Sequence, residues 1–183
     1  MSEQDIINGS KRRDGTALRE LYDLLAPKML SICRKYLGNC QAADDVFQDG
    51  FVSIINGIGR FDWKGEGSLM AWASKVMTNC ALMHLRKKDL SEPLETAFSM
   101  EDEPTEEEIM SIPPKILRGF MDELPDGYRT VLNLYLFENL SHREIAERLG
   151  IRERSSSSQL FRGRQMLAAK IKEYLKKQYD SEQ

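Results

Sequence analysis

The sequence predicts an all-α chain: two small helical domains joined by an acidic linker. Apolar residues recur at steps of three and four along most of its length, and no run alternates apolar with polar as a strand does. The one long stretch without periodicity, residues 89–113, is dense in Asp, Glu and Pro. With 183 residues, 41% of them hydrophobic, there is material for one medium domain or two small ones.

Each element follows from this pattern. Leu18, Leu21, Tyr22, Leu25, Met29, Ile32, Cys33 and Tyr36 share one helical face, and Pro27 predicts that this stretch is two helices rather than one. Phe47, Phe51, Ile54, Ile55 and Ile58 repeat the pattern until Gly57 and Gly59 loosen it. After a short loop, Phe61 to Gly67, Ser68 is a candidate N-cap for a helix with the face Leu69, Trp72, Ala73, Val76 and Cys80, which runs on to Arg86, Lys87 and Lys88. These helices make a first domain, residues 1–88. The linker, 89–113, is expected to be extended, with one short helical piece around Glu106 to Met110. The second domain, 114–183, opens with Ile116, Leu117, Phe120 and Leu124, and Pro125 starts a further helix through Val131, Leu132 and Tyr135.

Charge is unevenly spread. The formal net charge is −3, yet Asp89 to Glu108 holds nine acidic residues and no basic one, whereas Arg152 to Lys177 holds eight basic residues against Glu153 and Glu173. Nucleic-acid affinity comes largely from Lys and Arg on phosphates, so the basic end is where DNA would bind. Cys33, Cys40 and Cys80 have neither CxxC spacing nor a histidine cluster nearby, and are expected to be reduced thiols with no metal. No signal segment or membrane-length apolar run is read, and a cytoplasmic protein without membrane insertion is expected. No nucleophile elbow, P-loop, zinc signature or dinucleotide fingerprint occurs, which argues against an enzyme and against a cofactor. His142 is expected to be a solvated helix-start residue.

Three segments carry chemistry. In Ser141 to Ile151, Ser141 and Glu144 have capping-box spacing, Ile145, Ala146 and Leu149 face inward, and Gly150 ends the helix; a polar, basic helix follows with Ser157, Ser158, Phe161, Arg162 and Arg164. This is helix-turn-helix patterning, with the second helix suited to the major groove. The bland alternative is a helical hairpin with a solvated basic face. The loop Trp63-Lys64-Gly65-Glu66-Gly67-Ser68, followed by Lys75, Asn79, Arg86 and Lys87, has an aromatic and cations suited to unpaired bases, though a glycine-rich connector is the commoner explanation for such a loop. Asp45, Gln48 and Asp49 form an outward strip that is either a solvated face or a dock for a basic protein surface.

Together these segments resemble the extracytoplasmic-function (ECF) sigma factors of the sigma-70 family. Ala43 to Phe51 resembles the family's A-E-D-L-x-Q-E-x-F helix. Phe61 to Lys88 resembles its F-x-G-x-x-S-F-x-x-W-L-x-x-I-A-x-N-x-A-x-D-x-L-R-R segment. Leu124-Pro125, Tyr128-Arg129, Val131 and Leu140 to Leu149 resemble L-P-x-x-x-R-x-V and L-S-x-x-E-I-A-x-x-L. The likeness covers about residues 15 to 175, in order and with the acidic linker between. Lys75 stands where Arg is usual and Ala73 where a larger apolar residue is usual. Ser156 stands where Val is frequent, and Ser157 and Gln159 where basic residues are. Gly65-Glu66-Gly67-Ser68 and Ser158-Gln159 are similar to members from the Bacteroidetes.

The resemblance implies a region 2 bundle and a region 4 helix-turn-helix in an alternative sigma factor. Such a factor binds RNA polymerase core, directs promoter-specific initiation and assists strand opening. It implies that Asp45, Gln48 and Asp49 meet the clamp helices of the largest polymerase subunit, and that region 4 meets the flap of the second-largest subunit. It also implies that Trp63, Lys64, Ser68, Lys75, Asn79, Arg86 and Lys87 serve the −10 element, that Ser157, Ser158, Phe161, Arg162 and Arg164 serve the −35 element, and that an anti-sigma factor is a partner. Other readings are an autonomous helix-turn-helix regulator with a sensing first domain, and a polymerase-binding regulator that reads no DNA.

Overall fold

The structure is a computed structural model in which residues 1–88 and 104–181 are described. Most of the expected linker, and with it most of the acidic run, lies outside the described residues. Among those described there are nine α-helices and a single 3-10 turn and no strand, in two compact units, Met1–Lys87 and Lys88–Gln183.

The first unit contains α1 (Glu3–Lys11), α2 (Gly15–Leu37), α3 (Gln41–Gly57), the 3-10 turn Ile58–Arg60 and α4 (Ser68–Lys87). α1 precedes the first helical face expected from periodicity, at Leu18; its local signal is a capping box, in which the Ser2 hydroxyl accepts from the Asp5 N–H while the Asp5 carboxylate accepts from the Ser2 N–H. Arg13 adopts a left-handed conformation (φ 61°) at the corner, and Asp14 then caps α2 by accepting from the Ala17 N–H at 2.9 Å.

α2 is one helix, not the two expected from Pro27. Proline deprives the Asp23 carbonyl of its intrahelical partner, but Asp23 and Pro27 are both exposed, so the interruption falls on the outer side of the helix and not in the core. The opposite side carries Leu21, Leu25 and Met29, all wholly buried, and their packing holds the helix together across the proline. Tyr22, expected on the core face, is half-exposed and lies edge-on to Phe51, ring centroids 4.8 Å apart.

α3 and α4 approach closely at Gly50, where a Cβ would come within 2.5 Å of the buried Met77 Sδ. The buried face of α4 is Leu69, Ala73, Met77, Ala81, Leu82 and Leu85. It is rotated from the expected face, so Trp72, Val76 and Cys80 lie at its margin, with Trp72 against Phe61 (centroids 4.9 Å). The thiols are free: Cys33 buried, Cys80 half-buried, Cys40 exposed. Burial pushes Cys33 up to about 12, and burial likewise raises Cys80 against a hydrogen bond from Ser53 that lowers it.

The second unit contains α5 (Glu106–Met110), α6 (Pro114–Asp122), α7 (Asp126–Leu136), α8 (His142–Leu149) and α9 (Glu153–Ser181). α5 forms where a short helical piece was expected, under a Thr105–Glu108 capping box. The core of this unit combines Leu124, Tyr128, Val131, Leu132 and Leu134 with Ile145, Leu149, Leu160, Ala168 and Ile171. Arg129 is buried as well. Its guanidinium donates to the carbonyls of Asp122 (2.9 Å) and Leu124 (3.0 Å) and pairs with Asp126, which ties the end of α6 to the start of α7. At Gly163 a Cβ would reach within 2.9 Å of Leu132, so α9 lies close on α7.

Arg129→Met leaves two carbonyls without their donor and is expected to cost about 3 kcal/mol of stability in the second unit. Urea unfolding followed by hydrogen exchange should show that loss with the first unit unchanged. Under native conditions a thiol-specific alkylating reagent should label Cys40 fast and Cys33 only on unfolding, because only the thiolate reacts; mass spectrometry of the labelled peptides reads the order.

Candidate nucleic-acid interface

The helix-turn-helix is built by local rules. Ser141 and Glu144 form the expected capping box, the Ser141 N–H donating to the Glu144 carboxylate at 2.9 Å and the Glu144 N–H to the Ser141 hydroxyl at 3.3 Å. The Ser141 N–H and the Ser141 hydroxyl, both donating to the Glu144 carboxylate, hold it below its ordinary range. Gly150 closes α8 in the left-handed region (φ 68°), and its N–H and that of Ile151 both donate to the Ala146 carbonyl.

His142 corrects its expectation as a solvated residue. It is half-buried, its ring stacks on Tyr135 with centroids 5.0 Å apart, and its Nδ1 lies 3.0 Å from the Ser156 hydroxyl. It therefore touches α7 and α9 from α8 and helps to set the angle of α9.

The outward face of α9 is narrower than its serine-rich sequence suggests. Ser156 and Gln159 are wholly buried, Gln159 against Gly127, and neither reaches a ligand in solvent. Exposed are Arg154, Ser157, Phe161 and Arg164, whose three- and four-residue spacing aligns them on one strip. Ser158 and Arg162 are half-buried at its edge, and the Ser158 hydroxyl already donates to the Arg154 carbonyl at 3.0 Å, which leaves only its lone pairs for a base. Phe161, 57% exposed, is an apolar patch of the kind that meets a thymine methyl. Arg154, not among the candidates from sequence, joins this strip, and its distance of three from Ser157 carries the signal.

In the first unit the loop after Phe61 is ordered by its own hydrogen bonds. The Ser68 hydroxyl donates to the Gly65 carbonyl (2.6 Å) and accepts from the Lys64 N–H (3.2 Å), so it ties the loop, while the α4 end is capped by Glu3 rather than by Ser68 as expected. Gly65 and Gly67 have φ of 112° and 80°, which a side chain would strain. Trp63 and Lys64 are exposed on this loop. Lys75, Asn79, Arg86 and Lys87 are exposed along α4, the first three on a strip continuing from Ser68. Met83, 59% exposed between Asn79 and Arg86, interrupts the polar strip and was not anticipated.

Asp45, Gln48 and Asp49 are all exposed on α3, with Gln41 donating to Asp45 at 3.0 Å. Val52, 56% exposed one turn further, gives this strip an apolar continuation. Among the described residues no group of three or more His, Cys, Asp or Glu side chains is placed to hold a metal, and no helix is long and apolar enough to cross a membrane.

Comparison with known proteins agrees with the two units in order. The family model for sigma-70 region 2 matches residues 21–90, and that for sigma-70, region 4 matches residues 115–167. The chain is 29% identical over 181 residues to the ECF RNA polymerase sigma factor SigW of Bacillus subtilis, covering 89% of this chain and 93% of that one. It is 26% identical over 178 residues to the RNA polymerase sigma-H factor of Pseudomonas aeruginosa (90% and 91% covered). It is 23% identical over 184 residues to the ECF RNA polymerase sigma-E factor of Haemophilus influenzae (93% and 96%). None of these three supports the narrower likeness to Bacteroidetes members. With both region models matched in sequence order and relatives similar along nearly their whole length, the chain belongs to the sigma-70 family of RNA polymerase sigma factors, in its extracytoplasmic-function branch.

Proposed function

We propose that this chain is an alternative sigma factor that binds RNA polymerase core, recognises −35 and −10 elements and assists strand opening, with no catalysis or cofactor of its own. The observation that carries the reading is that each unit exposes a polar, cationic strip together with an exposed aromatic: Lys75, Asn79 and Arg86 on α4, after the loop that carries Trp63, and Arg154 and Arg164 flanking Phe161 on α9. One suits unpaired bases and the other the major groove.

In the loop before α4, Trp63 to Ser68 receive a flipped −10 base, and along α4 Lys75, Asn79, Arg86 and Lys87 hold the separating strand. Flipping costs a few kcal/mol, which stacking and hydrogen bonds offset. On α9, Ser157 and Phe161 read base edges, Arg162 and Ser158 work from the edge of the strip, and Arg164 holds phosphate. Asp45, Gln48 and Asp49 bind the basic clamp helices of the largest polymerase subunit, with Val52 adding apolar contact. Leu136 and Phe137, exposed at the end of α7, suit the flap of the second-largest subunit. Core polymerase holds both DNA-binding units on one promoter, so two weak contacts act as one strong one. A cytoplasmic location and a silencing anti-sigma partner belong to the same reading.

Run-off transcription with purified core on promoter-rich DNA tests it. Discrete start sites that require this protein are expected; none, with a control sigma factor active on the same core, would overturn it. Asp45→Lys with Asp49→Lys should weaken core binding about tenfold or more through like-charge contact. Arg154→Ala and Arg164→Ala should each lower the salt slope of promoter binding by about one. Gln159→Ala, by contrast, should leave the slope unchanged and lower the unfolding midpoint.

A further inference from the structure

α1 lies outside the region 2 match, which begins at residue 21, yet it touches both ends of the loop that the proposed function assigns to the −10 base. At the loop's start, the Lys11 Nζ donates to the Phe61 carbonyl at 2.7 Å. At its end, the two oxygens of the Glu3 carboxylate accept separately from the N–H groups of Gly67 and Leu69, each at 3.0 Å. Glu3 is thereby the cap of α4, supplied from a helix more than sixty residues away in the chain. An acidic group is suited to this place, because the first turn of a helix has unsatisfied N–H groups and the positive end of the dipole.

α1 is itself well anchored. Ile6, Ile7 and Ser10 are buried, and at Gly9 an added Cβ would come within 2.5 Å of the Ala17 Cβ, so α1 lies directly on α2. The loop it spans needs such support. Gly65 and Gly67 lend it conformational freedom, and its internal ties all converge on the Ser68 hydroxyl and N–H. A flexible pocket would lose ordering entropy each time it took a base; one held at both ends has lost it already.

We propose that α1 is a clamp on the −10 loop, with Glu3 and Lys11 as positioning residues that keep Trp63 to Ser68 in the shape that takes an unpaired base. This rests on the assignment of that loop to the −10 element. Glu3 has a second effect: its charge occupies the α4 N-terminus, which would otherwise attract phosphate, and leaves the DNA backbone to the strip from Lys75 to Lys87.

The test uses the full-length chain. Hydrogen exchange on the free protein reports the clamp directly: Glu3→Ala should raise exchange at the Gly67 and Leu69 amides about tenfold. Glu3→Gln, which keeps one acceptor oxygen, should fall between Glu3→Ala and wild type. Holoenzyme formed with Glu3→Ala or Lys11→Met should then capture a single-stranded oligonucleotide bearing the mapped −10 element about tenfold more weakly, with core affinity within about twofold of wild type. Unchanged exchange at Gly67 and Leu69 in Glu3→Ala overturns the clamp. Raised exchange with wild-type capture overturns its part in base recognition, and Trp63→Ala in the same capture assay separates the two premises. If Trp63→Ala also captures normally, the loop assignment has failed; if it loses capture, that assignment stands and only the clamp's role falls.

Discussion

Leu21, Leu25 and Met29 are wholly buried on one side of α2, and the helix that carries them packs against α1, α3 and α4. Removing any of these side chains would forfeit about 2–5 kcal/mol and leave a cavity shared by several helices. The outer faces of α3 and α4 owe their directions to this buried stripe. Once Val46, Phe47, Phe51 and Ile54 are turned into the core, Asp45, Gln48, Asp49 and Val52 have nowhere to go but solvent. The same constraint on α4 turns Lys75, Asn79, Met83 and Arg86 outward. The outward strips are therefore the complement of the core.

The second unit achieves the same result with less apolar material and more polar fastening. Arg129 gathers carbonyls from the end of α6 and the turn that follows, Asn133 donates to the Arg129 carbonyl one turn on at 2.9 Å, and His142 bridges Tyr135 and Ser156. Hydrogen bonds are directional, so such a network specifies angles that a small greasy core would leave loose. The angle that matters is that of α9 on α7 and α8, since it sets where Phe161 and Arg164 point. Gly163, by allowing α9 to lie close to Leu132, belongs to the same constraint.

Local pattern carried much of this architecture. The capping box at Ser141 and Glu144, the left-handed Gly150 and the short helix at Glu106 follow from bonds between residues three or four apart, which sequence displays directly. Other expectations erred where tertiary contacts outweighed a local preference. Pro27 is tolerated because it sits on the exposed side of α2, while Leu25 and Met29 are buried against the neighbouring helices. The face of α4 was misjudged because Trp72 and Val76 are as apolar as Met77, and only the neighbours choose among them.

The sequence by itself determined the helical class, the local caps such as Ser141 with Glu144, and the exposed acidic strip of α3, because these depend on periodicity and on bonds within a few residues. Only the tertiary structure decided which polar residues are spent inside the protein and which remain for a ligand. Ser156, Ser157, Ser158 and Gln159 look alike in sequence, but one bonds His142, one bonds its own helix, one packs on Gly127, and only Ser157 is left on the strip. Likewise nothing near Glu3 or Lys11 in the chain signals that they hold Gly67, Leu69 and Phe61. Contacts across fifty or more residues arise only when helices pack, and their partners leave no periodic trace in the sequence.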